Sequence, residues 1–457
     1  MPFIPFLYPM ALPYPAQFLL DWFLAAWWLW VFLGLLIFAF NLWKVYIQEY
    51  YKKVTNPWTL LEMHIPREFT QTPRAMEQIF VGIHALKNSA SDLEEQYWDG
   101  EVPLWFSFEP VSFGGEVHLY LFIPTVRRKH IEALFYAMYP DIEFTEVEED
   151  YIHRLPATAA ELYEKGYRMF GNELLMDKNP VYPIKTYIDF EATTEEREVD
   201  TMGPLLETLA RIDPREYLWA QILFRPKVEN FINEFKKEGD DEINKIRETG
   251  RFVRDPGGKP ILDPETGFPM YSIPSPGQVE AMKAIDRKIG KPVFDVIIRY
   301  MYISPREIFS SSFGRRSIFM AMNQASTESF NKFKHNVLAW TLAKIWYPPY
   351  IFPKRRAAAR REWLYDKYRQ RDMYPDTLLE APLKMKLYHW GFNPWKVSNV
   401  ALATDELATL FHPPTAAVLT GPIIKRTDAR RVGPPAGLPI YGEEEEELPG
   451  LDDDNGK

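Results

Sequence analysis

The sequence predicts an α+β protein in which a single N-terminal transmembrane helix is followed by ferredoxin-like (β-α-β-β-α-β) domains. Three observations predict it. One uncharged apolar run stands near the N-terminus, and no second stretch approaches about 18 apolar residues. Behind it, strand-period and helix-period segments follow one another in a regular order between Pro57 and Tyr151. The composition is that of a packed protein: aromatics make up 15% of 457 residues, too many for a disordered chain. That length leaves room for roughly two to four domains. Proline is frequent, 39 residues, where a share of about 5% is usual, so long unbroken helices should be few. With no cysteine, disulfide frameworks, thiolate zinc sites, iron–sulfur clusters and cysteine nucleophiles are excluded.

Residues 1–16 (MPFIPFLYPMALPYPA) form a proline-punctuated aromatic segment that lines the outer interface or meets a partner. The transmembrane helix is assigned to residues 17–46. Between Asp21 and Lys44 lie 22 residues without a charge. That is about 33 Å of helix at 1.5 Å per residue, enough for a hydrocarbon core of about 30 Å. Trp22, Trp27, Trp28, Trp30 and Trp43 supply the aromatic signature of an anchor in the lipid bilayer, although Trp28 and Trp30 fall deeper than a belt requires. A cleaved signal peptide would need a basic leading region, and residues 1–20 hold no basic side chain. Lys44, Lys52 and Lys53 all follow the run. The positive-inside rule therefore puts the N-terminus outside and the bulk in the cytoplasm, at the inner (cytoplasmic) membrane.

Beyond the anchor, LLEMHI (60–65) reads as a strand. Thr72 and Pro73 open a helix with Met76, Ile79, Phe80, Ile83 and Leu86 at helical spacing. LWFSFEPV and EVHLYLFI alternate around Phe113-Gly114-Gly115 as a hairpin. Thr125 opens a second helix carrying Ile131, Leu134, Phe135 and Met138, and DIEFTEV (141–147) closes the unit, giving a ferredoxin-like domain over 58–152. A second α+β domain, a looser copy, is expected over 180–345. Its strands would be KTYIDFE (185–191), EYLWAQILF (216–224) and KPVFDVIIRYMYI (291–303), with an insertion near 226–290. A basic helical region covers 346–440. Residues 441–457 form an acidic tail, eight acids against Lys457, expected to be disordered.

Catalytic signatures are missing. A phosphate-cradling loop needs G-x-x-x-x-G-K-[ST], and the internal Gly258-Lys259 and Gly290-Lys291 are each followed by proline. The eight histidines never fall at metal-ligand spacing. Ser310 to Ser317, with Arg315 and Arg316, reads as a capping segment before a phosphate site, and Glu146 with Glu148 as a solvated strand end before an acid/base pair. No catalytic, cofactor or metal site is expected, and the chain reads as no enzyme. Residues 354–371 carry eight basic side chains with aromatics among them, and Arg355, Arg356, Arg360 and Arg361 are the candidate contacts for an anionic partner. Lipid, protein and nucleic acid remain open there, beside a plain hydrated face.

The segments ALATDELATLFHPP (401–414) and GPPAGLPIYG (433–442) resemble the membrane-proximal region preceding the ATPase domain in conjugation-type ATPases of type IV secretion systems. Upstream, LLEMHIPREFTQTPRAMEQIFVGIHAL, VHLYLFIPTVRRKHIEALFYAMYPDIEF and AIDRKIGKPVFDVIIRYMYISP are similar to the same region, so the resemblance covers most of 58–442. It implies that module without the ATPase domain: a non-enzymatic subunit of a translocation complex, docking a separate P-loop ATPase and other secretion subunits, with a homo-oligomer open. Asp405 would cap a short helix whose Leu407, Leu410 and Phe411 form the docking patch, or pack on the chain's own core. The alternatives are an unrelated membrane scaffold or envelope-assembly protein, and a nucleic-acid-handling membrane protein using 354–371. Protease added to intact cells should leave residues 47–457 untouched; loss of the whole C-terminal part would reverse the topology.

Overall fold

The computed structural model of the chain describes residues 25–66, 72–88, 90, 92–191, 200–227, 229–249, 274–324, 326, 327, 329–343, 352–373 and 400–415. Trp22, the 1–16 segment, the acidic tail and most of the 255–277 loop lie outside them. An unbroken apolar run without proline gives helix α1, Trp27–Tyr50, which continues to Thr55 as a π turn. Trp27, Trp28, Phe32, Leu35 and Leu36 are exposed around it. Among the described residues no core covers these side chains, as befits a helix long and apolar enough to cross a membrane.

The body begins with strand β1 (Trp58–His64), helix α2 (Pro73–Ala85), β2 (Phe106–Phe113), β3 (Glu116–Pro124), α3 (Arg128–Met138) and β4 (Glu143–Glu146). Then come α4 (Ala159–Glu164), β5 (Tyr167–Met176), α5 (Tyr187–Glu191), α6 (Gly203–Ala210) and β6 (Tyr217–Pro226). Helices α7 (Glu229–Thr249) and α8 (Pro276–Ile289) precede β7 (Val293–Pro305), α9 (Ser311–Met322) and β8 (Phe333–His335). The last described elements are α10 (Pro353–Gln370), β9 (Val400–Ala403) and α11 (Thr404–Leu410).

These strands form one nine-stranded antiparallel sheet, ordered β4-β1-β3-β2-β6-β7-β5-β8, with β9 on β7. Each half places its first and third strands centrally, and the second strands of the two halves, β2 and β6, pair at the seam from Phe106↔Phe224 to Phe113↔Tyr217. The expected separate domains over 58–152 and 180–345 are therefore one sheet. An unpaired β2 edge would leave backbone donors and acceptors bare, and β6 satisfies them. The boundary also moves, because β5 precedes residue 180. Gly171, Asn172 and Glu173 interrupt its apolar pattern. At Gly171 a Cβ would lie 2.3 Å from Leu364 of α10, so the strand gives up its side chain to close packing.

KTYIDFE forms helix α5, not a strand. Its alternation mimics a strand, but Asp189 accepts from the Thr186 amide at 3.1 Å and the Thr186 hydroxyl at 3.0 Å, which starts a helical turn.

Both sheet faces are covered. Helices α2, α3, α6, α9 and α11 lie on one, packing Phe80, Phe135, Leu206, Ile318 and Leu407 on Phe108, Leu121, Phe224 and Ile298. On the other, Tyr151 and Tyr365 with Tyr368 of α10 pack on Tyr120, Trp219 and Met301. That second face also buries a row of charge. Glu109 of β2, Gln221 of β6, Arg299 of β7 and Glu173 of β5 are all at most 2% exposed. Arg371, just past α10, donates to Glu109 Oε1 at 2.8 Å and Oε2 at 2.9 Å, and reaches Asp150 Oδ1 at 3.0 Å. Ser107 (2.8 Å), Gln221 (2.9 Å) and Tyr151 (2.7 Å) complete the Glu109 shell. Arg299 donates to Glu173 Oε1 at 2.8 Å and to the carbonyls of Lys367 (3.0 Å) and Asp372 (3.3 Å), so it also holds the C-terminal end of α10.

Removing one partner from such a set strands the other charge. Arg371→Leu should cost about 3–5 kcal/mol in denaturant unfolding of the detergent-solubilised chain. The paired change Arg371→Met with Glu109→Gln should recover part of that loss. A single variant as stable as the wild type would show that the network does not hold the sheet together.

Candidate functional site

The C-terminal segment that the sequence offers as a docking patch is inserted into the body. β9 occupies the first part of one β7 edge, Val293↔Ala403 to Val296↔Val400, and β5 takes the rest from Ile298. Helix α11 then lies against α2 and the sheet. Leu407, Leu410 and Phe411 are buried, and the Phe411 ring stacks on Phe108 with centroids 4.0 Å apart. These residues do not form an exposed patch. Their apolar faces find a vacant position beside β7, and burial there outweighs leaving them in water.

Asp405 stands inside the helix rather than before it, and its Oδ1 accepts the first-turn amide of Glu406 at 3.0 Å. Glu406 Oε2 accepts from the Ala403 amide at the N-cap position at 2.8 Å. Asp405 pairs with Lys291 at 3.1 Å, and Lys291 also reaches Glu77 of α2 at 2.7 Å. Lys288 and Glu406 form a fully buried ion pair at 2.8 Å. Burial pushes Lys288 down and Glu406 up, each opposed by the other's charge. The Ile184 amide donates to Glu406 Oε1 at 2.8 Å, and Lys288 donates to the Ala401 carbonyl at 2.9 Å.

A second clasp closes the segment. His412 Nδ1 faces the Ala408 carbonyl at 2.9 Å and Nε2 faces Asp200 Oδ1 at 3.1 Å. Asp200 also accepts from the Thr415 amide (2.7 Å), the Thr415 hydroxyl (3.0 Å) and the Met202 amide (2.8 Å). Burial raises the Asp200 carboxyl, but His412 and the amides outweigh it and hold it below its ordinary value. Residues 400–415 are thus tied to the body from β7 to the start of α6.

The basic helix α10 is mostly committed inward. Arg360 is buried and donates to the carbonyls of Val337 (3.1 Å) and Leu342 (3.2 Å), and burial beside Arg356 lowers its guanidinium. Arg361 lies 4.4 Å over the Tyr163 ring, and Arg355 5.4 Å from Phe352. Arg356 is partly buried. Lys367, Arg369 and Arg371 are all engaged with the chain itself. Arg360 is therefore no contact for an anionic partner, and Arg355 is the most exposed of the four candidates. Trp27, Trp28, Trp30 and Trp43 are exposed along α1, while Trp22 lies outside the described residues.

The Ser310 hydroxyl caps α9 through the Phe313 amide at 3.2 Å, and a Cβ at Gly314 would fall 2.7 Å from the Tyr302 ring. Packing and capping account for that segment. Glu146 pairs with Arg128, and Glu148 lies beyond β4. Among the described residues no group of three His, Asp or Glu side chains could hold a metal ion. The clasp residues Asp200, Lys288 and Glu406 escape a reading of the sequence. Their one signal is a charged residue at an apolar helix position, as Lys288 is in α8.

The family described as "Domain of unknown function (DUF8128)" matches residues 40–312, more than half of the chain, and the chain belongs to that family. The match runs from the second half of α1 through β7 into α9; β8, α10, β9 and α11 lie beyond it. No protein with a curated description matches the chain.

A carboxyl held below its ordinary 3.8 stabilises the fold above that value, and its contribution is lost as pH falls through the depressed folded value. Asp200→Asn should therefore be less stable than the wild type at neutral pH. The gap should close on acidification below pH 3.8. Equal stability of the two proteins at pH 7, in thermal unfolding followed by tryptophan fluorescence, would remove the clasp from the account.

Proposed function

We propose that the chain is a non-enzymatic, single-pass membrane subunit of a conjugation or type IV secretion-like translocation complex. Its N-terminus is outside, its α+β body cytoplasmic, and residues after Thr415 dock a separate P-loop ATPase. The clasp is the observation that carries the reading. In the resembled ATPases the DELATLFHPP words lead towards the motor; here the same words, Asp405 to Pro414, are built into the membrane-proximal body. The chain beyond Thr415 then leaves from a fixed point rather than from a swinging linker, and a fixed exit lowers the ordering cost of docking.

Two further features support it. No phosphate loop occurs in the 457 residues, and the reading assigns the motor to a partner. Each half of the sheet also repeats one strand order, which we read as two fused ferredoxin-like units, a rigid platform for assembly rather than a cleft for chemistry. The inward commitment of Arg360, Lys367, Arg369 and Arg371 weighs against the nucleic-acid alternative.

Deleting residues 416–457 tests this, because Thr415 and its bonds to Asp200 are kept. Fold and membrane insertion should survive, and co-purification of a P-loop ATPase should weaken. Part of the loss should follow salt, since the eight acids of the tail are removed. Undiminished co-purification at low and high salt refutes tail docking. Gentle purification of the intact chain without any ATPase favours the unrelated scaffold.

A further inference from the structure

The base of α1 is not bare. Residues 92–99 fold against it, with a π turn at Glu95–Asp99. The Trp43 indole donates to the Tyr97 carbonyl at 3.1 Å, and the Trp43 and Trp98 rings lie 6.2 Å apart. Lys44 Nζ sits 5.6 Å from the Tyr97 ring. Phe40 and Tyr97 approach to 5.4 Å between centroids. Gly100 closes the turn at φ 69°, where a Cβ would lie 2.7 Å from the Ile47 carbonyl carbon.

Depth follows from these contacts, on the reading that α1 crosses the bilayer. Lys44 is the first charge after the apolar run, so Trp43 marks the cytoplasmic edge of the hydrocarbon. Phe40 is about 4.5 Å deeper at 1.5 Å per residue, and Tyr97 reaches it. A segment bonded to Trp43 and touching Phe40 cannot stand in bulk water. Yet Leu93 is 73% and Trp98 71% exposed to whatever surrounds the chain. Large apolar side chains at headgroup depth are placed where burial in lipid stabilises them.

We propose that residues 92–99 form a second membrane-contacting element, seated in the headgroup layer beside α1, with Leu93 and Trp98 entering the bilayer. The occupant is the lipid interface, because the surface is continuous with the apolar surface of α1. Charge does not drive the contact: Asp92, Glu94, Glu95, Asp99 and Glu101 would be repelled by anionic lipid. Zwitterionic lipid is sufficient. The element also fixes how the body meets the membrane, since one helix alone leaves rotation about its axis free.

The absence of cysteine makes the test direct. Leu93→Cys, Trp98→Cys, Leu35→Cys and Met320→Cys would each carry a nitroxide label in the full-length protein, reconstituted in phosphatidylcholine vesicles. Collision with oxygen is compared with collision with a water-soluble nickel complex. Labels at 93 and 98 should show an oxygen-to-nickel ratio several-fold above that at 320, between 320 and the mid-helix label at 35. Values at 93 and 98 equal to 320, with 35 lipid-like, overturn the second contact and leave the anchor standing. A water-like value at 35 overturns the anchor and this inference with it. A lipid-like ratio at 93 and 98 only after anionic lipid is added overturns the account by aromatic insertion.

Discussion

Arg371 lies almost without water at the end of α10, so the body has to bring carboxylates to it. Glu109 comes from β2 in the first half of the sheet and Asp150 from the segment after β4. Arg299, equally buried, draws Glu173 from β5 and the last carbonyls of α10 from the opposite layer. Taking such ions out of water costs several kcal/mol each unless every partner is present. Gln221 of β6 links the two sets across the seam, donating to Glu109 at 2.9 Å and accepting from Arg299 at 3.1 Å. The β2–β6 seam lies under the row that runs from Glu109 through Gln221 and Arg299 to Glu173, so the buried row and the merged sheet hold one another.

The network also explains why α10 looks like a binding helix in the sequence. Eight basic residues within 354–371 suggest a cationic surface, but Arg360, Lys367, Arg369 and Arg371 turn inward. Arg371 and Glu109 are 262 residues apart, and no local pattern announces such a pairing. Arg299 within IIRYM and Glu109 within FSFEP are charges inside apolar strands, a signal that something crosses the sheet but not what it is.

Legibility elsewhere divides along the same line. The apolar helix can be read because its hydrophobic run needs no tertiary partner to be recognised. The strands β1 to β4 and their two helices can be read because each carries its own period. β5 cannot, since Gly171, Asn172 and Glu173 answer to α10, His335 and Arg299 rather than to a strand pattern. Leu407, Leu410 and Phe411 give an apolar stripe, and the stripe is the same whether it meets a partner or the chain's own sheet. Only the open place beside β7 decides between them.

That place has a consequence for folding order. β9 and α11 must find β7, α2 and Asp200 across very long stretches of chain; Thr404 reaches Glu77 at a separation of 327 residues. Loop closure of this kind comes late, because the ordering entropy is lost before the contacts form. During synthesis the clasp emerges after β2, β7 and α2, so the β7 edge and the Phe108 face stay uncovered until residue 415 is free. An open edge beside an apolar face is a hazard for mispairing. The buried Lys288–Glu406 pair and the partly buried Lys291–Asp405 pair at the clasp raise the selectivity of closure. A wrong strand could satisfy the β7 backbone, but it would leave Lys288 buried without a carboxylate. The completed clasp therefore marks a correctly assembled body.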